Sequence, residues 1–462
     1  MSTSGKVRLT VIARDRAAEI FVIDSRLDRV DRGVGMVTTH QPPGVYKIKV
    51  RAGQATHEEL VVLEKAPVER VLEQLNIPSA MPLDQTAQSH GYHQEAALRE
   101  SRTPRVRLGR GASIFVFARD WTPQGEPPVS GHHPAEKLEL CSAAGEVVVN
   151  FQEQSAVDLE QDPWAACRVE VEPGLCRLRV TAGTGQAYES AVIAQAGWQT
   201  QVFLLQRRDP LSPRGRRPDL AGASVTMSHS HEFSQDAGDS RLAELARLAL
   251  VDGRALAGKE LSQMLRGKFQ NPMLGIFGGH LLLRQPKPDR SLLRIVTGNL
   301  RAVMGGAPHP DVEALALAAG IRPRGGFAMP PMLRASWRIV VERSIAEPGL
   351  VPEGSLGARI GTLVTNQDPW LIWRTPAETD TWAEAYLDDF RELLERDRKE
   401  QRQSSDEQYL AGWPGIPAAA SRLAAKLSLP PSTVTHLIAQ ATHNLPMARG
   451  LAKGPGRRRG KA

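Results

Sequence analysis

The histidines and cysteines carry most of the chemistry this chain could perform, and their spacing decides which kind. His90 with His93, His229 with His231, and His132-His133 with Glu136 are short clusters of the imidazole and carboxylate donors that zinc-like ions prefer. A metal site needs three or four converging ligands with further groups to orient the rings, and no set of Asp, Glu, Cys and His here has such a spacing. These polar segments therefore read as loops, and no metal ligand is expected. Cys141, Cys167 and Cys176 are odd in number and lie in strand-like sequence with no activating neighbour. Neither a disulfide framework nor a thiolate nucleophile is expected of them. His280 stands alone in an apolar stretch and reads as a core histidine held neutral by a hydrogen bond. The sequence contains no phosphate loop, nucleophile elbow or dinucleotide fingerprint. No catalytic residue and no cofactor is assigned, and the chain is expected not to be an enzyme.

Nucleic-acid binding has a more specific lead. Leu423-Ala-Ala-Lys-Leu-Ser-Leu-Pro-Pro-Ser-Thr-Val-Thr-His-Leu-Ile438 sets two short helical patterns around a turn. It resembles the helix-turn-helix in the promoter-reading domain of bacterial sigma factors, over this segment alone and with Ser428 where a turn glycine is usual. The resemblance implies that Leu423, Ala424, Leu427, Leu429, Val434 and Leu437 pack together. It implies that Ser432, Thr433, Thr435, His436 and Gln440 face a DNA groove, and that Arg457, Arg458 and Arg459 of the tail hold phosphates. The plainer reading is a helical hairpin that packs on the rest of the chain.

The net charge of +7 is unevenly placed. The tail from Arg449 to Lys461 contributes +6 and the stretch from Arg207 to Pro218 contributes +4, which leaves the remainder at −3. The folded body is thus slightly acidic, and basicity belongs to two segments expected to be flexible. In the first, Arg207, Arg208, Arg214, Arg216 and Arg217 alternate with Pro and Gly. That composition reads as an exposed linker: a solvated spacer, a phosphate-binding segment, or a protease-sensitive site whose cleavage would separate the sandwich pair from the helical part.

The elements that must position these residues follow from periodicity. Gly44-Val-Tyr-Lys-Ile-Lys-Val-Arg51 alternates with the period of a strand, and Glu19–Ile23 and Glu59–Leu63 are apolar runs of strand length. The phrase Pro43–Gly53 returns as Pro173–Gly183, and Ile20-Phe-Val22 returns as Ile114-Phe-Val116, with an insertion expected near 122–160. The repeated phrase resembles the small antiparallel β-sandwich modules related to carboxypeptidase regulatory domains, which implies modules that mediate contacts.

From Asp239 the period becomes helical. Asn271-Pro-Met-Leu-Gly-Ile-Phe-Gly-Gly-His-Leu-Leu-Leu283 begins with an N-cap and a first-turn proline and is apolar almost all round, so it reads as a central buried helix. Its three glycines suggest close packing of neighbours. Together with His309-Pro-Asp-Val-Glu-Ala-Leu315, it resembles an uncharacterised bacterial protein family, which brings no activity with it. Pro331–Val341 echoes the helix faintly, at a spacing of about 60 residues.

The expected organisation is multidomain α+β, two antiparallel β-sandwich modules followed by an all-α helical array. Its parts are module 1 at 1–75, a linker at 76–106, module 2 at 107–206, the Arg/Pro-rich linker at 207–238 and a helical domain at 239–375. A charged amphipathic helix at 376–411, the helix-turn-helix-like segment at 412–445 and a basic disordered tail at 446–462 complete it. No apolar run reaches bilayer length and no leader is visible, so a cytoplasmic location without membrane contact is expected. The expected role is a non-enzymatic adaptor or regulatory protein that binds another protein, controlled by cleavage of the Arg-rich linker. DNA-binding transcription regulation is the alternative.

Overall fold

The computed structural model describes residues 5–14, 18–52, 55–73, 75, 77–83, 86, 91–120, 132–160, 162–211, 215–234, 238–253, 258–375 and 415–444. It is a mixed α+β protein. The first sheet is built from β1 (Val7–Ala13), β2 (Glu19–Ile23), β3 (Arg29–Val34), β4 (Met36–Gln41), β5 (Gly44–Ala52), β6 (Ala55–Leu63) and β7 (Val68–Leu72). The order is β6-β5-β2-β3-β4-β1-β7, and β3 meets β4 only through the pair Val34 and Met36. The period-two pattern becomes burial directly: Tyr46, Ile48, Val50 and Ala52 lie inside, while Lys47, Lys49 and Arg51 between them stay partly in solvent.

Two more sheets follow. One contains β10 (Leu138–Cys141), β11 (Val147–Asn150), β14 (Gly174–Thr181), β15 (Ala187–Ala194) and β19 (Ile372–Arg374) in the order β11-β10-β14-β15-β19. The other contains β9 (Ala112–Arg119), β12 (Ala156–Asp158), β13 (Trp164–Val171), β16 (Gln199–Arg208) and β17 (Arg216–Pro218) in the order β12-β13-β9-β16-β17. β8 (Val106–Arg107) adds to β13, and β18 (Ser224–Ser228) adds to β16.

The pairing pattern of the first sheet recurs here. β1 pairs antiparallel with β4 and parallel with β7, as β9 does with β13 and β16. β5 lies between β2 and β6, as β14 lies between β10 and β15. The match of Pro43–Gly53 to Pro173–Gly183 therefore joins equivalent strands. The match of Ile20–Val22 to Ile114–Val116 does not, because β9 occupies the place of β1 and not of β2. Three apolar residues in a row report burial, and both strands are buried for different reasons. β9 is covered on both faces: Ile114, Val116 and Ala118 join the large core, while Phe115 and Phe117 join Met81, Leu83, Trp164, Phe203 and Phe233 on the other side.

The helices are α1 (Gly91–Arg102), α2 (Phe151–Gln154), α3 (Gly238–Val251), α4 (Gly258–Gly267), α5 (Pro272–Leu283), α6 (Arg290–Met304), α7 (Pro310–Ala318), α8 (Arg334–Ala346), α9 (Leu356–Ile360), α10 (Gly415–Leu427) and α11 (Pro431–Asn444). α5 is central, packed by α3, α4, α6, α7 and β18. Residues 272–282 are all buried, as the apolar run required. Close packing is visible at Gly279, where a Cβ would come 2.7 Å from a Leu315 side-chain carbon. At α8 the equivalent N-cap position is Leu333, which has no capping side chain. Asp311 of α7 accepts the Met332 and Leu333 N–H groups just before the helix at 2.8 and 3.0 Å, and the Arg334 N–H of its first turn goes to the Pro369 carbonyl at 2.9 Å.

Three expected boundaries are corrected. The segment 76–106 contains α1, which packs on β13. The segment 207–238 contains β17 and β18, both paired with β16, so it adds strands to the sheet as well as connecting the parts. The region 239–375 is not all-α, because β19 returns to pair Ser190, Glu189 and Tyr188 of β15. The amphipathic helix expected over 376–411 lies outside the described residues. No helix among the described residues is long and apolar enough to cross a membrane.

Candidate functional site

The expected DNA-reading helix is α11, and its first turn faces inward. Ser432 is 3% exposed and Thr433 1%. The Thr433 hydroxyl donates to the Ala358 carbonyl of α9 at 2.7 Å. A Cβ at Gly361 would collide with Thr433 Oγ1, so the two helices meet through a position without a side chain. Ser432 and Thr433 are thus packing residues, which corrects their expected place in a groove. Thr435 is half-buried and donates to Pro431 O of its own helix at 3.2 Å. His436 is half-buried, and burial together with the nearby Arg359 holds its imidazole below the usual range. Gln440 lies on α11, but its side chain is outside the described residues, as are Arg457, Arg458 and Arg459.

The expected packing set fares differently. Leu423, Ala424, Leu429 and Val434 are buried, whereas Leu427 and Leu437 are half-buried. Ser428 adopts a φ of +53°, the left-handed geometry that a glycine would take at the same turn.

The Arg-rich segment is also corrected. Arg216 is 8% exposed and pairs with Asp120, 96 residues earlier in the chain. Arg217 is half-buried, 3.4 Å from Asp209 and over the ring of Tyr188. Burial of these cations is tolerable because carboxylates meet them. Arg207 and Arg208 are exposed, and Arg214 lies outside the described residues.

The histidine clusters do not converge on one point. His93 is buried, with Nε2 3.0 Å from the Asp162 carbonyl. His132 lies 3.3 Å from Gln206 Oε1 and 3.5 Å from Glu136, and His231 lies 3.2 Å from the Ser113 hydroxyl. His229 is exposed against Trp198, and His90 is outside the described residues. Among the described residues no group of three or more His, Cys, Asp or Glu is placed to hold a metal ion. Burial pushes the thiols of Cys141 and Cys176 up to about 11 and that of Cys167 to about 12, which makes them poor nucleophiles near neutral pH.

One arrangement mimics a hydrolytic site. His280 Nε2 lies 2.8 Å from the Ser336 hydroxyl, and the charge of Asp311 acts on the ring. All three side chains are buried, and both Asp311 oxygens already accept backbone N–H groups. The pair joins α5 to α8 inside the core. Burial pushes His280 down to about 4, against an ordinary 6.5, so its neutral form is the folded one. His309 is lowered for the same reason. Stability from His280 is complete above pH 6.5 and is lost as pH falls from there toward 4, by about 3 kcal/mol in all. Urea unfolding at pH 7.5 and pH 5 is expected to show a large drop in midpoint, with a smaller drop in His280→Gln; equal drops would contradict it.

An open concavity lies where α1 faces edge strand β12. It is a groove of about 680 Å³ lined by Arg99, Glu100, Arg105, Leu159, Glu160 and Trp164, with β12 along one wall. Arg99 sits over the Trp164 ring at 5.7 Å, and Glu100 accepts from both Arg99 and Arg105, at 2.8 and 3.0 Å. Val157 and Leu159 are 43% and 37% exposed. No local pattern marks the groove, since its walls come from segments more than fifty residues apart.

No family model matches the chain, and no curated protein does. Among solved structures, the Bacillus anthracis TIE protein aligns at 11% identity over 42% of this chain and 32% of that one, with a TM-score of 0.16. The match spans about a third of that protein's length, and a likeness this slight carries no argument about fold or function.

Proposed function

We propose that the chain is a non-enzymatic adaptor, located in the cytoplasm, whose two recurrent strand systems are β-sandwich modules and whose helical part is a platform. The reading rests on one observation, the open groove along β12, which among the described residues has no strand on its outer side. A sheet edge offers unpaired N–H and C=O groups, and an extended segment of another protein can add to it as a strand. The exposed Val157 and Leu159 would receive apolar side chains of that segment. Arg99 and Arg105 share the groove with Glu100, Asp158 and Glu160, so its walls carry both signs. That balance suits a peptide of mixed character better than a polyphosphate backbone.

The test is selection from a displayed library of linear peptides, followed by direct titration of the enriched sequences. Enrichment of β-prone peptides is expected, with affinity falling at least about tenfold in Val157→Lys and Leu159→Asp, which replace exposed residues. Failure to enrich any peptide, or equal binding by both variants, would sink the reading.

A further inference from the structure

The first sheet presents a second free edge, and its chemistry points to a different occupant. β6 is nine residues long, and among the described residues no strand pairs with its outer side. On its outer face Leu60 is 72% exposed and Val62 57%, and Val45, paired with Val62 on β5, is 46% exposed. Long edges that carry apolar residues are templates for pairing, and folded proteins ordinarily blunt them with prolines, bulges or inward charges. β6 has none of these on its Leu60–Leu63 half, and its inward-facing carboxylate, Glu59, lies just before that half.

We propose that β6 pairs antiparallel with β6 of a second copy of this chain, about a two-fold axis through Leu60. Charge excludes the registers centred on Glu58, Glu59 and Val61, and of the registers without opposed like charges the one centred on Leu60 pairs the longest stretch of β6. An axis through Glu59 sets Glu59 against itself, an axis through Glu58 sets Glu58 against itself, and an axis through Val61 sets Glu58 against Glu64. Directly opposed like charges destabilise a strand pair. An axis through Leu60 opposes Leu60 to Leu60, Glu58 to Val62 and Glu59 to Val61, with no like-charged pair. In that register Glu58 keeps its own partners, because Lys47 and Lys49 of β5 already hold it from the other side, Lys49 at 3.2 Å. The result is a continuous sheet across the dimer, with Leu60 of the two edges side by side and Val62 of each beside Glu58 of the other. The association does not depend on the groove beside β12.

Sedimentation velocity of the full chain over a dilution series tests it. A dimer that dissociates in roughly the micromolar range is expected, since a contact limited to one strand edge falls at the small end of specific interfaces. Leu60→Lys and Leu60→Glu should each be monomeric, as each opposes like charges at the axis. An equimolar mixture of the two variants should recover the dimer mass, since the ammonium of one then faces the carboxylate of the other across the axis. Circular dichroism identical to the parent confirms that the exposed substitutions leave the fold intact. A monomeric parent at all concentrations, a dimer unaffected by both substitutions, or a mixture that stays monomeric would overturn the proposal.

Discussion

Glu189→Leu is expected to lower the unfolding free energy by about 3–5 kcal/mol, the range for breaking a buried ion pair from one side. The Glu189 side chain is 1% exposed and sits where three segments meet. Its carboxylate accepts from Arg179 Nε at 2.8 Å, from Arg177 at 3.3 Å and from the Trp373 indole N–H at 3.1 Å. Arg177 and Arg179 belong to β14, and Trp373 belongs to β19, the strand that ties the helical part to this sheet. Removal of the carboxylate leaves Arg177 buried beside no anion and frees the indole N–H. Arg179 is more exposed and can turn to water. Because the penalty is a stranded charge, adding Arg177→Met should recover most of the loss. Urea denaturation of the parent, the single variant and the double variant checks both statements. A single variant within about 1 kcal/mol of the parent would show that water replaces the carboxylate.

Asn271→Leu is the second large effect, at about 3 kcal/mol, the sum of a lost cap and stranded polar groups. Asn271 is buried, and its Oδ1 accepts the Met273 N–H at 3.2 Å, which caps α5. The same oxygen accepts the Met227 N–H of β18 at 3.2 Å, and Nδ2 donates to the Thr226 hydroxyl at 2.6 Å. One side chain therefore starts the central helix and fastens it to the sheet. Asn271→Ser retains a helix cap but not the reach to β18, so its loss should fall between those of the parent and Asn271→Leu. Hydrogen exchange at Met227 should quicken in both variants. Unchanged exchange there would remove the cross-link from the account.

Asn271 also divides what could be read early from what could not. A cap followed by proline is a local signal, because the orphan N–H groups it satisfies lie in the next turn, and α5 begins where Asn271 and Pro272 placed it. The alternation of β5 and the continuous burial of α5 are local in the same sense: period and composition state which sides of an element avoid water. They do not state which element covers those sides. Nothing near Asn271 announces Met227, and nothing near Glu189 announces Trp373, 184 residues away.

The same limit explains the corrected sites. Arg216 and Arg217 sit in a Pro- and Gly-punctuated stretch that has the composition of a spacer, yet Asp120 and Asp209 draw them into the fold. Ser432 and Thr433 have the chemistry of groove-reading residues, yet both are buried, and the absence of a side chain at Gly361 lets Thr433 dock at the end of α9. The sequence alone determined the strand and helix periods, the position of the central helix and the repeated Pro-Gly phrase. Only the tertiary structure decided which strands are equivalent, which cations are buried and which edges stay open. Sheet pairing, ion pairing and helix docking join residues far apart in the chain, and hydrophobic period carries no record of the partner.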